Sequence, residues 1–402
     1  MSRKVALTFG VRLIRVALGL AASVLTARAL GPSGRGDYYF VVTFAGVLVQ
    51  FGNLGLASSN TYLVARDRSL LRGLVANSLW VSIAIGGGAG ALIAIVLIGA
   101  DVFPNVPSAL LWLGVALAPP SLFYLLGTNL LVGVGRIVAF NLLETVANLL
   151  VLLLIGLAAV LAAGVGGFLA VGVLGWTVSA VVVLLALVRG RLGALGFDRA
   201  VFAAGFRYAA KAYVITLLGF LVLRSNVFLL QSSAGSTQLG YYSIAAQIAD
   251  VLTIFPASVA LVLFPDLVRN VAERWSVMVV TTGVVSVMVT VACVLAAIAA
   301  GPFIVLLYGP SFAPATPVLL FALPGVVLLS AATIVSQYLA AIGLPRSLLL
   351  IWAMALALVV SLNSLLVPPF GAVGAAAALS TTYLALLVMV AALAFRNRER
   401  RA

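Results

Sequence analysis

The chain has no histidine, one cysteine and only nine acidic residues in 402. Each scarcity excludes something. Without imidazole there is no histidine base, proton shuttle or histidine metal ligand. The lone Cys293 cannot form an internal disulfide and sits in an apolar run, where cysteine serves as a small packing residue. No Gly-x-x-x-x-Gly-Lys-Ser/Thr stretch occurs, so the chain carries no P-loop ATPase of its own. No cluster of His, Cys, Asp and Glu offers a metal site. Long polar segments that could form a catalytic domain outside a membrane are absent too. The expectation is a protein that is not an enzyme and has no bound cofactor or metal. Charged residues make up 8% of the chain, against about 25% in a soluble domain.

What is present is hydrophobicity. Sixty-four per cent of the residues are hydrophobic. Between Arg274 and Arg346 lie 71 uncharged residues, and between Arg346 and Arg396 another 49. Each gap holds two membrane crossings of about 20 residues. Turns at glycine, proline and charged clusters divide the chain into about twelve apolar runs. The fold class is all-α, integral to a membrane.

The net charge of +14 does not point to nucleic acid, because the basic residues cluster in short loops between apolar runs. Eighteen of the 23 lie in alternate loops or at the termini, among them Arg3 and Lys4 at the start, Arg66, Arg68 and Arg72 after the second run, Arg189 to Lys211 in the middle, and Arg396 to Arg401 at the end. The opposite loops carry Arg35 alone. The positive-inside rule then puts both termini in the cytoplasm, and the basic tail is expected to meet anionic membrane lipids. The longest loop divides the chain into residues 1–190, a linker 191–206, and residues 207–402, each flank holding six crossings. Gly36-Asp-Tyr38 and Gly240-Tyr-Tyr242 open the second and eighth runs 204 residues apart, as do Gly167 and Gly371 for the sixth and twelfth. That spacing suggests an internal duplication with parallel repeats.

Polar residues inside the runs carry the functional signal. An arginine at the centre of a membrane helix costs roughly 2.5–3.5 kcal/mol on insertion scales. The first run nonetheless contains Arg12 and Arg15, on one face with Gly19, Ser23 and Thr26. Gln50, Asn53 and Asn60 share a face of the second run. Asn141, Glu144, Thr145 and Asn148 form a stripe on the fifth. Tyr213, Arg224 and Gln231 align on the seventh, near Asn226, and Gln247 and Asp250 on the eighth. Lipid satisfies none of these groups. They either glue helices together or line a wet cleft, and an internal Arg224–Asp250 salt bridge is a third arrangement.

Ala27-Arg28-Ala-Leu-Gly-Pro-Ser-Gly-Arg-Gly-Asp-Tyr38, followed by Asn53-Leu-Gly-Leu56, resembles the polysaccharide flippases of the multidrug/oligosaccharidyl-lipid/polysaccharide superfamily. Leu239-Gly-Tyr-Tyr242, Phe264-Pro265 and Gly371-Ala-Val-Gly374-Ala-Ala extend the likeness through the second half. The resemblance implies two six-helix bundles around a central cavity. It also implies movement of undecaprenyl-diphosphate-linked glycans between the leaflets of a bacterial inner membrane. Where relatives have Arg-x-Asp in the seventh helix, this chain has Arg224-Ser-Asn226, which removes the carboxylate from that position.

On this reading Arg12, Arg15 and Arg224 bind the diphosphate. Gln50, Asn53, Asn60, Asn141, Asn148, Tyr213, Asn226, Gln231 and Gln247 line the path of the glycan. Glu144 and Asp250 are the candidates for coupling to protons or sodium. The partners expected are a lipid-linked glycan, membrane lipids, and a glycan polymerase or glycosyltransferases of the same pathway, with the chain acting as a monomer. The rival readings are a drug antiporter of the same superfamily, a polytopic glycan-polymerising enzyme, and a scaffold subunit of a glycan-assembly complex.

Overall fold

The computed structural model describes residues 3–188, 196–343 and 345–399, with side chains from Ile14 onward apart from those of Lys211, Ala212 and Glu399. The expected linker residues 191–195 lie outside this range. Among the described residues, nine helical stretches are long and apolar enough to cross a membrane. Three helices, α1 (Arg3–Asn53), α8 (Arg199–Arg269) and α11 (Ser347–Glu399), are each interrupted by one glycine with non-helical dihedrals.

These three helices fold back on themselves. Arg35 hydrogen-bonds Ser23, twelve residues earlier, a separation of about 18 Å along a straight helix. Asn226 bonds Tyr242, sixteen residues on, which would be about 24 Å away. In α11 a Cβ added at Gly374 would collide with the carbonyl of Leu366, eight residues before it. Each of the three therefore supplies two crossings, and nine stretches become twelve crossings. The protein is an all-helical, multi-pass membrane protein.

The turns at Gly31 (φ 65°, ψ −179°) and Gly235 (φ 79°, ψ 177°) have one conformation, in a region of backbone space that is essentially glycine's alone. They are 204 residues apart, the offset of the Gly-x-Tyr repeats. The surroundings repeat as well. Gly34 approaches Val165 at the start of the sixth crossing, while Gln238, 204 residues on, accepts a hydrogen bond from Ala372 N at the start of the twelfth. Gly167 and Gly371 do not match in this way: Gly371 has φ 55°, and in the first half the corresponding left-handed residue is Ala162.

The chain forms two compact units, Met1–Leu217 and Leu218–Ala402. In the first, α2 (Leu56–Arg66), α3 (Leu71–Val81), α4 (Gly90–Gly99), α5 (Ser108–Gly133), α6 (Ile137–Val160) and α7 (Val165–Val188) follow the two arms of α1. The start of α8 also belongs to this unit. Its core is apolar: Phe123, Tyr124, Leu130 and Leu131 of α5 pack on Val183 and Leu187 of α7. In the second unit α9 (Arg274–Tyr308), α10 (Ala315–Ala341) and α11 pack together. Val284, Val287, Val291, Leu295 and Ile298 of α9 are all exposed, the spacing and chemistry of a face meant for lipid.

Two expectations need correction. Arg35 is not in a loop but inside the second arm of α1, and it is 4% exposed. Helix formation resumes immediately after Gly31, so the turn is far shorter than the run of small and charged residues suggests. Arg199 and Arg207, read as loop residues, lie in the first turns of α8. Asp198 caps that start, accepting from the Ala200 and Val201 amides.

Candidate functional site

Among the described residues, each unit holds an ion pair inside its helices. In the first, Arg15 of α1 meets Glu144 of α6 at 2.7 Å. The Glu144 side chain is 10% exposed and that of Arg15 42%. A buried carboxylate in an apolar bundle is stable only when paired, and Arg15 supplies that pairing. Tyr124 of α5 is buried beside the same carboxylate, close enough to interact with it but without a well-formed hydrogen bond to its hydroxyl. The rest of the α6 stripe is turned to local bonding. Thr145 donates to the Asn141 carbonyl at 3.0 Å and Asn148 to the Glu144 carbonyl at 2.6 Å, while Asn141 itself is buried. The helix thus absorbs two of its polar side chains and sends one carboxylate across to α1.

In the second unit Arg224 Nη2 donates to Asp250 Oδ2 at 3.2 Å, joining the two arms of α8. The burial is reversed: the Arg224 side chain is 25% exposed and Asp250 49%. Beside the pair is a cavity of about 60 Å³ that Tyr242, Thr253, Ser380 and Tyr383 help to line, room for a few waters. Tyr242 connects it to a buried amide cluster. Asn226 donates to the Tyr242 hydroxyl at 3.0 Å and to the Ala375 carbonyl at 3.2 Å, and it accepts from Asn363 at 2.9 Å. Asn226 and Asn363 are both 0% exposed. Asn226, expected on the path of the glycan, is therefore a clasp between α8 and both arms of α11. A carboxamide can donate and accept at once, which a carboxylate here could not.

The other expected lining residues divide similarly. Asn60 donates to Ser78 Oγ at 2.9 Å, bridging α2 and α3, and is buried. Asn53 Oδ1 accepts from the Ala57 amide at 3.0 Å across the break between α1 and α2. The Tyr213 hydroxyl donates to the Phe51 carbonyl at 2.8 Å, satisfying a carbonyl that the end of α1 leaves open. Gln231 is buried and donates to Ser236 at 3.0 Å next to the Gly235 turn. Gln50 and Gln247 are half-buried. The side chain of Arg12 lies outside the described residues. Gln50 and Gln247, with the two ion pairs, are thus the expected residues with some exposure and no purely local task.

Two participants escaped sequence reasoning. Arg35 donates to Thr26 Oγ1 and, at 3.0 Å, to Ser23 Oγ, and lies over the Tyr38 and Tyr39 rings. It staples the first hairpin, using two hydroxyls that share the face of Arg15. Asn363 is the other. A lone asparagine in the long apolar run after Arg346 was its available signal.

Twelve crossings in two units, each with an ion pair among its described helices, mark a polytopic membrane protein. The comparisons narrow the class. A family model described as "Polysaccharide biosynthesis protein" matches residues 1–271, and the chain belongs to that family. No curated protein matches it by sequence. Among solved structures it is similar to the lipid II flippase MurJ in an inward closed conformation: TM-score 0.79, 13% identity, over 96% of this chain and 86% of that one. It is also similar to an inward-facing multidrug resistance MATE family transporter of the MOP superfamily, with TM-score 0.76 and 13% identity over 98% of both chains. A third is a MOP superfamily transporter from Pyrococcus furiosus Vc1, described as having a binding pocket of reverse polarity. It has TM-score 0.66 and 16% identity, over 98% of this chain and 94% of that one. At such identities the likeness is one of fold.

Proposed function

We propose that the protein is a flippase that carries undecaprenyl-diphosphate-linked oligosaccharide, a precursor of polysaccharide, O-antigen or teichoic acid, across a bacterial cytoplasmic membrane by alternating access. The observation that carries this reading is membership of the polysaccharide biosynthesis family over two thirds of the chain. The chemistry of the charged residues supports it. A diphosphate crossing hydrocarbon needs cations, and a planar guanidinium with five donors suits phosphate oxygens. Arg15 and Arg224 are assigned to the diphosphate, with Arg12 at the cytoplasmic entry. Gln50 and Gln247 are assigned to the sugars, and the lipid tail stays in the bilayer. Glu144 and Asp250, each already held by one of these arginines, are the groups for proton or sodium coupling. The excess of basic loops on one side supports cytoplasmic termini. A glycan polymerase or glycosyltransferases of the same pathway are the proposed partners of a monomer.

The test is complementation of a strain lacking its polysaccharide flippase. The parent restores export; Arg15→Ala and Arg224→Ala reach the membrane but do not. Full export with both variants overturns the anion-site assignment. The second reading, a small-molecule antiporter, draws on the near-complete overlap with the MATE transporter. It predicts drug resistance on expression and no complementation.

A further inference from the structure

The Arg15–Glu144 pair has two properties that a structural clasp does not need. It is lopsided, with the carboxylate buried and nearly half of the arginine open. Its carboxylate also has a second companion, the Tyr124 hydroxyl, which is buried and lacks a well-formed hydrogen bond. From these we infer that Glu144 is a resident counter-ion that the cargo's diphosphate displaces from Arg15, so that binding the cargo obliges Glu144 to take up a proton.

The inference rests on the diphosphate reading above and deepens it. One guanidinium has a single positive charge. Paired with Glu144 the site is neutral; a diphosphate diester adds two negative charges beside a carboxylate that is only 10% exposed. At separations of about 4 Å and an effective dielectric near 20, that repulsion shifts a protonation equilibrium by roughly a thousandfold. Protonation removes one of the charges and gives the carboxyl an O–H to donate. Tyr124 is the neighbour in place to receive it: its hydroxyl oxygen can accept from the new carboxyl O–H, which gives a partner to a buried hydroxyl that lacks a well-formed hydrogen bond. Among the described side chains, no other titratable group faces Glu144; that of Arg12, one turn before Arg15 on α1, lies outside them. Arg15 comes from α1 and Tyr124 from α5, and α7 contributes no charged side chain, only Trp176 packed against the Tyr124 ring. The proton comes from water and returns to it when the diphosphate leaves. The pair thus links cargo to protons without a histidine, which this chain lacks.

Calorimetry on the purified full-length protein tests the idea. The probe is farnesyl-diphosphoryl-N-acetylglucosamine, whose phosphates do not titrate between pH 5 and 8. Titration in buffers of different ionisation enthalpy should report uptake of about one proton per probe bound, with affinity falling about tenfold per pH unit above the Glu144 titration. In Glu144→Gln, binding should be at least as tight as in the parent at low pH, with no proton uptake and no pH slope. Glu144→Asp, which keeps the acid, should retain both, and this guards against a Gln variant that misfolds. Binding without proton uptake, or a pH slope unchanged in Glu144→Gln, overturns the exchange and leaves the diphosphate reading standing. Absence of probe binding at every pH, in parent and Glu144→Gln alike, overturns both.

Discussion

The two units solve one problem in opposite ways. Each holds an arginine against a carboxylate within its helices. In the first unit the acid is sheltered and the base half open; in the second the base is the more sheltered and the acid half open. The first pair joins residues 129 apart on different helices, while the second closes a single hairpin. A sheltered carboxylate depends on its partner for its charge, whereas an open one can rely on water. The pairs should therefore respond differently to the same substitution, and the second unit has its own buried amide cluster, Asn226–Asn363–Tyr242, to hold its helices.

The largest effect should come from Arg15. Arg15→Ala is expected to weaken diphosphate binding by about 1.5–3 kcal/mol, roughly 10- to 150-fold. It should also lower the melting temperature in detergent, because Glu144 loses its partner. Arg224→Ala should impair transport but barely move the melting temperature, since Asp250 is half exposed and such a pair contributes about 0–1 kcal/mol. Equal melting shifts for the two would erase the contrast drawn here. Next comes the amide cluster. Asn226→Leu removes the donor to the Tyr242 hydroxyl and the Ala375 carbonyl and one acceptor of the Asn363 amide, and is expected to cost about 1–3 kcal/mol, read as faster amide exchange in α11 and not in α5. Gly31→Ala and Gly235→Ala probe the repeat. Neither Cβ meets another atom within 4 Å, so the penalty is conformational alone, about 1–3 kcal/mol, and similar in both.

The smallest effect is at the surface. Asp67, in the turn between α2 and α3, accepts from the Ser69 hydroxyl at 2.7 Å and amide at 2.9 Å. These bonds hold its carboxyl below the usual range, the hydroxyl contributing most. A lowered folded-state value means stabilisation that is present above the unfolded carboxylate's titration and lost as pH falls through the folded one. Amide exchange at Ser69, corrected for its intrinsic rate, should therefore accelerate below about pH 4 and be independent of pH in Asp67→Asn.

Much of the architecture was legible because the bilayer imposes it. Apolar length and glycine turns mark twelve crossings whatever the packing. The stripe Asn141–Glu144–Asn148 was readable too, since helical spacing fixes which residues share a face, and the Arg224–Asp250 pair was among the arrangements left open. What could not be read was which stripes meet. Nothing near Arg15 in the sequence names Glu144 as its partner, and nothing near Asn226 names Asn363. Arg35 was misjudged for a related reason. A run rich in glycine, proline and serine looks like a loop, yet only Gly31 leaves helical geometry, so the arginine four residues on is already back in a helix and buried. The glycines at 86 and 90 are close-packing residues: a Cβ at Gly86 would lie 3.2 Å from Pro119, and one at Gly90 2.9 Å from Leu48. The widened π-helical turn around them, Ser82–Ala89, was not legible, because it reflects the fit against the prolines of α5.

The most direct measurement is leaflet-to-leaflet movement of a fluorescent polyprenyl-diphosphate-linked oligosaccharide in proteoliposomes containing the purified protein. The account predicts transport by the parent, a rate at the protein-free background for Arg15→Ala, and a rate in Glu144→Gln that no longer depends on pH. Movement by Arg15→Ala at the parent's rate would contradict it.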